Sequence, residues 1–203
     1  MSAIAAYRTA VLQLLDDTAL DRYTNNQVDQ ALLWALGEYS KVRPIMRTYS
    51  FTGLGTYRAE LPADFVALHV TQVVMDDGTD PPTIVPFKAL YFDESWWLET
   101  IDRILSTSDT VDITYDTYQT IDGLASASGT TVPEDDEWLI STGAAGRAAM
   151  IRAVSRSESI NMQPEVQFHL LDTAKAFLQS FMDGLRADTD IQVIQMDDPD
   201  DQF

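Results

Sequence analysis

The sequence predicts an α+β fold, a bundle of about four helices with an inserted antiparallel β subdomain. Three observations predict it. Apolar residues recur at helical spacing near both ends of the 203-residue chain, they alternate at period two through its middle, and the regimes change beside proline and glycine. A chain of this length holds one medium domain or a core with one insertion. With 45 % hydrophobic and 10 % aromatic residues it has enough apolar material to bury a core.

Ala3 to about Leu15 reads as an amphipathic helix with Ile4, Tyr7, Val11, Leu12 and Leu15 on one face, ended by Asp16-Asp17. A second helix begins at Thr24, whose hydroxyl caps it while Gln27 reaches back. Its stripe is Val28, Leu32, Ala35, Leu36 and Tyr39, and Pro44 stops it near Val42. Period two follows: Arg47, Tyr49 and Phe51 alternate with Thr48, Ser50 and Thr52 up to a turn at Gly53-Leu54-Gly55. Tyr57, Ala59 and Leu61 continue the alternation, and Val66 to Met75 is rich in β-branched residues before a turn at Asp76-Asp77-Gly78. Ile84 to Phe87 is a short strand candidate, Asp93 to Leu105 with Trp96-Trp97 reads as a short helix, and Val111, Ile113 and Tyr115 mark a half-exposed strand.

A small-residue loop from about Gly123 to Thr131 returns the chain to helix. Pro133 suits a first helical position, and Glu134 to Glu137 place four carboxylates at the positive end of the dipole. This third helix runs to about Val154 and is rich in glycine and alanine, which let another backbone approach closely. The fourth, from near Pro164 to about Ala187, is apolar around more than half its circumference and has two faces to bury. Either the β subdomain or a neighbouring copy covers the second face. The chain thus divides into a bundle core at 1–44 and 131–187, a β-rich insertion at 45–130, and an acidic tail at 188–203. Within the tail, Ile191 to Met196 is apolar enough to add a strand to a partner's sheet edge, and Asp197 to Phe203 reads as a frayed end.

Charge is the loudest compositional signal: 32 acids against 13 lysines and arginines leave a net charge of −19. Such a surface repels phosphate backbones, which argues against duplex binding through basic contacts. It reflects solubility, a salty host, or a surface that DNA passes without sticking. Cysteine is absent, which removes disulfides and thiolate chemistry and suits a reducing cytoplasm. No apolar run approaches the roughly 20 residues of a membrane span, and the N-terminus lacks the pattern of a secretion signal.

No catalytic, cofactor or metal site is expected. His69 and His169 have no attendant motif, and no phosphate-cradling loop or nucleophile elbow occurs. Asp76, Asp77 and Asp80 lack the later oxygen ligands of a calcium loop. The four carboxylates from Glu134 are adjacent on a helix and diverge, so they read as a cap. Trp96 and Trp97 have no basic groove beside them for stacking on bases, so core or interface burial fits them better.

The order of several segments resembles the head–tail adaptor (connector) proteins of tailed phages. The carrying pieces are Ala31-Leu32-x-x-Ala35-Leu36-x-Glu38-Tyr39-Ser40-x-x-Arg43-Pro44, Leu61-Pro62-x-Asp64-Phe65, and Thr120-Ile121-Asp122-Gly123-Leu124. Thr130-Thr131-Val132-Pro133 and Glu137-Trp138-x-x-x-x-Gly143-Ala144-Ala145 complete the series. The resemblance implies a non-enzymatic virion subunit of the neck, assembled in the host cytoplasm as a ring, typically a dodecamer. Such a ring binds the portal protein above and a tail or neck component below, with DNA passing through its centre as non-specific cargo and no membrane involved. In that family a C-terminal segment docks on the portal, which falls here on Ile191, Val193, Ile194 and Met196 of the tail. Packing between subunits is expected through Ala145, Ala149, Phe177, Phe181 and Leu185 of the third and fourth helices. Rival readings are a head-completion, tail-terminator or minor capsid protein, an acidic DNA mimic, and a metal-dependent hydrolase.

Overall fold

A computed structural model describes the backbone of residues 3–78, 81–157 and 164–196, and the side chains of 3–78, 81–155 and 168–187. The fold is α+β, with four long helices and two small antiparallel sheets. The chain separates into two compact units, Met1–Arg43 with Gln119–Phe203, and Pro44–Tyr118. Residues 119–130, expected within the β insertion, belong with the helices.

In the helical unit, α1 (Ala3–Leu14) and α2 (Asn25–Val42) form where the apolar stripes predict them. The Thr24 capping box is present: the Gln27 amide donates to the Thr24 hydroxyl at 3.3 Å, and the Thr24 amide donates to Gln27 Oε1 at 3.0 Å. Asp17 organises the turn between the two helices. Its buried carboxylate accepts from the amides of Asp21, Arg22 and Tyr23. Pro133 leads into a single 3-10 turn, Glu134–Asp136, and α3 (Glu137–Ser157) follows.

α3 is the centre of this unit, packed by α1, α2 and α4 (Pro164–Met196). From Ile140 to Ala149 only Arg147 is not buried. Its small side chains let α4 reach its backbone. A methyl group placed on Gly143 would lie 2.8 Å from the Phe181 ring, and one on Gly146 would lie 3.0 Å from the Leu178 backbone nitrogen. One on Gly184 would meet Leu139 at 2.5 Å. These three contacts set α3 and α4 antiparallel, with Gly143 beside Phe181 and Gly146 beside Leu178. The close approach that the small residues permit is therefore made by α4 of the same chain.

α4 is longer than expected. It continues as helix past Ala187 to Met196, so Ile191 to Met196 are helical and not a strand. The contact register places Glu137, the first residue of α3, level with about residue 187. The last nine helical residues thus run past the end of α3. Asp197 to Phe203 lie outside the described residues.

In the β unit, one sheet has the order β1-β7-β3-β4 and the other β2-β6-β5. The strands are β1 (Ile45–Thr52), β2 (Arg58–Glu60), β3 (His69–Asp76), β4 (Thr83–Ile84), β5 (Phe87–Phe92), β6 (Ser95–Thr100) and β7 (Thr110–Thr117). Phe65 of the Leu61-Pro62-x-Asp64-Phe65 segment centres an aromatic cluster, 4.4 Å from Tyr115, 5.9 Å from Tyr49 and 6.2 Å from Trp96 between ring centroids. The expected helix at Asp93 to Leu105 is instead the turn and second strand of a hairpin. Asp93 and Glu94 both have positive φ, 51° and 61°, and join β5 to β6 with Phe92 opposite Ser95. Asp93-Glu94 is the loop of that hairpin.

Two glycines on helices separate backbone preference from packing. Nothing lies within 4 Å of a methyl group on Gly37 of α2, whereas one on Gly146 meets α4 backbone. Gly37→Ala should raise stability by about 0.5–1 kcal/mol through helix propensity alone. Gly146→Ala should lower it by about 1–2 kcal/mol, because overpacking outweighs the same gain. Urea unfolding of the two variants checks the opposite signs.

Candidate functional site

The polar groups of the helical unit are arranged first to hold the bundle. Asp136, in the 3-10 turn, accepts from the Tyr39 hydroxyl at 2.5 Å and from Arg43 at 2.6 Å. Arg43 also lies over the Tyr39 ring, 5.4 Å from its centroid. Burial alone would raise the Asp136 carboxyl, but the hydrogen bonds from Tyr39 and Arg43 and the Arg43 charge outweigh it, and its pKa lies below the ordinary value. Burial, with the hydrogen bond to Asp136, pushes the Tyr39 hydroxyl up to about 12. The group joins the C-terminal end of α2 to the start of α3. It acts as a latch: the Asp136 carboxylate is taken up by Tyr39 and Arg43, and Arg43 reaches on to the Gly184 carbonyl of α4.

The other titratable candidates are dispersed. His69 on β3 is exposed and 3.0 Å from Asp116, and His169 is exposed on α4 in the other unit. Among the described residues, no group of three or more histidines and acids could hold a metal ion. Asp77 pairs with Arg103 at 2.6 Å, and Asp76 accepts the Gly78 amide at 2.9 Å within its turn. Trp97 lies under Arg58, 4.4 Å from guanidinium to ring centroid, and Trp96 packs on Phe65 and Tyr91.

What remains is surface. Ala145, Ala149, Phe181 and Leu185, expected between subunits, are buried within the helical unit itself, and Phe177 is half-buried against the same core. They are spent inside the chain because the glycines of α3 draw α4 onto it. The apolar side chains left outward on these helices are others: Trp138, 62 % exposed, Ile151, Val154, Phe168, 65 % exposed, and Met182. The register brings Val154 and Phe168 to the same end of the α3–α4 pair. Ile191, Val193, Ile194 and Met196 fall on the stretch of α4 that runs past α3.

Two further features were not legible beforehand. The β5–β6 hairpin carries Leu90, Tyr91 and Phe92 at an edge of its sheet, the last two 63 % and 67 % exposed. A partly enclosed cavity of about 350 Å³ lies between the start of α2 and α3, lined among others by Arg22, Tyr23, Gln27, Ala148, Ile151 and Arg152. Arg152 lies over the Tyr23 ring at 4.9 Å and donates to the Arg22 carbonyl. The cavity could not be read from sequence, since its two walls are about 120 residues apart. Asp17, taken for a helix breaker, is what holds Arg22 and Tyr23 in place.

No family model matches the chain, and no curated protein matches it. Among solved structures, a chain in the neck of an empty GTA particle computed with C6 symmetry is 13 % identical over 86 % of this chain and 87 % of that one. Its TM-score is 0.31, too loose a likeness to establish a shared fold.

Because its folded pKa is depressed, Asp136 contributes stability at pH values above the ordinary carboxylate pKa, and that contribution is lost as pH falls through and below it. Asp136→Asn should cost about 2 kcal/mol near neutral pH by leaving Arg43 and Tyr39 under-partnered. Urea midpoints across pH should show the gap between wild type and variant closing on acidification.

Proposed function

We propose that the chain is a non-catalytic structural subunit of a tailed-phage neck. In this reading it is a head–tail adaptor that assembles as a ring, a dodecamer by its resemblance, between portal and tail. The observation that carries the reading is the one-sided packing of α4. The middle of α3 is buried by its own chain, whereas α4 lies along α3 with fewer contacts to α2, leaving Phe168 and Met182 outward. A helix with an apolar face turned to water is stabilised by a second molecule, and ring subunits are held by faces of this kind.

Two other observations support it. The segments that resemble adaptor proteins serve the fold in their new context: Tyr39 and Arg43 build the latch, and Phe65 centres the aromatic cluster. Gly143 admits the Phe181 ring. The charge of −19 suits a passage for DNA, because a phosphate backbone meets little counter-charge along it and slides. In this reading Ile191 to Met196 engage the portal as the free end of a helix, and the Leu90–Phe92 edge faces the next neck component.

Mass measurement of the purified chain, alone and mixed with its portal, tests the ring. A multiple of the 22.7 kDa subunit is expected in at least the mixture; a monomer in both refutes the adaptor reading. Deleting residues 188–203 should leave helix content per remaining core residue and thermal unfolding nearly unchanged while abolishing portal capture in a pull-down. Unchanged capture would remove the docking role of the α4 extension.

A further inference from the structure

β5 is an open edge. It lies outermost in the β2-β6-β5 sheet, and its neighbour β6 spends alternate backbone groups on either side. On the β2 side, the Trp96 carbonyl accepts from the Leu61 amide and the Thr100 amide donates to the Tyr57 carbonyl, each at 2.8 Å. Ser95, Trp97 and Glu99 therefore bond to β5, where they stand opposite Phe92, Leu90 and Lys88. The N–H and C=O groups of Phe87, Ala89 and Tyr91 point the other way, and among the described residues no backbone group meets them there. Sheet edges are blunted by proline, a bulge or inward charges. β5 has an unbroken register, no proline and Lys88 as its one charge. Leu90, Tyr91 and Phe92 stand exposed along it, and no acid occurs from Pro81 to Phe92 in a chain with 32 acids. Two exposed acids, Asp93 and Glu94, close its end.

We infer that an extended segment of a partner protein adds to β5 as a fourth strand of this sheet, with apolar side chains along Leu90 and Phe92 and a lysine or arginine against Asp93 and Glu94. The charge of the molecule selects that partner. A net charge of −19 draws a basic segment at long range, and the acid-free edge lets its apolar residues settle beside the acidic tip. A second copy does not meet both demands. Two β5 strands pair antiparallel at full overlap with Ala89 opposite Ala89, which leaves Asp93 and Glu94 opposite Val85 and Ile84, without a cation. Sliding the copies until Lys88 faces Glu94 centres the pairing on Tyr91 and sets Ala89 against Asp93. Asp93 is a left-handed turn residue, so little ladder remains. The end of this chain, residues 197–203, has four acids and no base, and repels the tip. The inference deepens the reading in which the Leu90–Phe92 edge faces the next neck component, and rests on that reading for the source of the strand.

A fluorescently labelled peptide of alternating valine and threonine with two lysines at one end, titrated with the full chain and read by anisotropy, tests the edge without any partner. Saturable binding is expected. Because Ala89 turns its amide away from β6, Ala89→Pro removes an edge donor and spares the ladder inside the sheet. It should weaken binding about tenfold with an unchanged thermal transition. N-methylating the peptide amides should abolish binding, a control that stands even where the proline variant fails to fold. Asp93→Asn combined with Glu94→Gln should weaken binding about threefold at low salt. No saturable binding, or an affinity indifferent to the methyl groups, to the tip variant or to proline in a folded chain, overturns the assignment. A dimer of the chain alone that the peptide dissociates also overturns it, since a second copy then holds the edge. Failure here leaves the ring measurement with the portal standing, and a chain that takes the peptide yet stays monomeric beside its portal sinks the adaptor reading instead.

Discussion

The helical unit depends on one constraint, the near absence of side-chain volume along α3. Glycine and alanine from Gly143 to Ala149 let α4 approach α3 at backbone distance while α1 and α2 pack on it as well, with Phe181 lying directly on Gly143. Large residues at these positions would push the partners outward and open voids that lose dispersion contacts. The consequence reaches α4. Because the middle of α3 is buried against its own chain, α4 packs along α3 and meets α2 at fewer points, such as Trp34 against Phe181. The outward apolar residues are a by-product of that arrangement, and they are the raw material of an interface.

Where the β unit is inserted, polar contacts hold the two ends of the helical unit together. Gln119 donates through its side chain to the Arg43 carbonyl at 2.9 Å, and its backbone amide donates to the buried Ser40 hydroxyl at 3.0 Å. Ser40 in turn donates to the Leu36 carbonyl at 2.6 Å. The chain therefore leaves and re-enters the helices at one point, next to the Tyr39–Arg43–Asp136 latch. Within the β unit the same economy appears at its mouth, where Ile45 of β1 is opposite Thr117 of β7. An insertion whose ends meet costs the host bundle little closure entropy, since the loop it replaces is already fixed.

Local signals were legible in the sequence and non-local ones were not. The Thr24 box, the stop before Pro44, the alternation from Arg47 to Phe51 and the acids ahead of α3 each act within a few residues, and each appears in the structure. The stretch Asp93 to Leu105 misled because its residues carry no strict alternation, and pairing of Ser95–Thr100 with β5 decides it as strand. The small residues of α3 were read correctly as an approach surface, but sequence carries no sign of whose backbone arrives. For the same reason the residues expected between subunits, Phe181 and Leu185 among them, proved to be core, while Phe168 and Trp138 face outward. The apolar character of Ile191 to Met196 was legible; its helical state was not, since β-branched residues there favour a strand until α4 carries the helix through.

Many of the few cations in this acidic molecule are engaged in local contacts. Arg43, Arg58, Arg147 and Arg152 lie over Tyr39, Trp97, Trp34 and Tyr23, and Arg8 and Arg103 pair with Asp29 and Asp77. Arginines held against rings and carboxylates contribute packing as well as charge, and the net charge stays at −19. Copies of such a molecule repel one another at long range, and salt screens that repulsion beyond about 10 Å at ordinary ionic strength. Association of like copies then requires contacts that are locally complementary, and the outward apolar side chains of α3 and α4 supply faces that displace water.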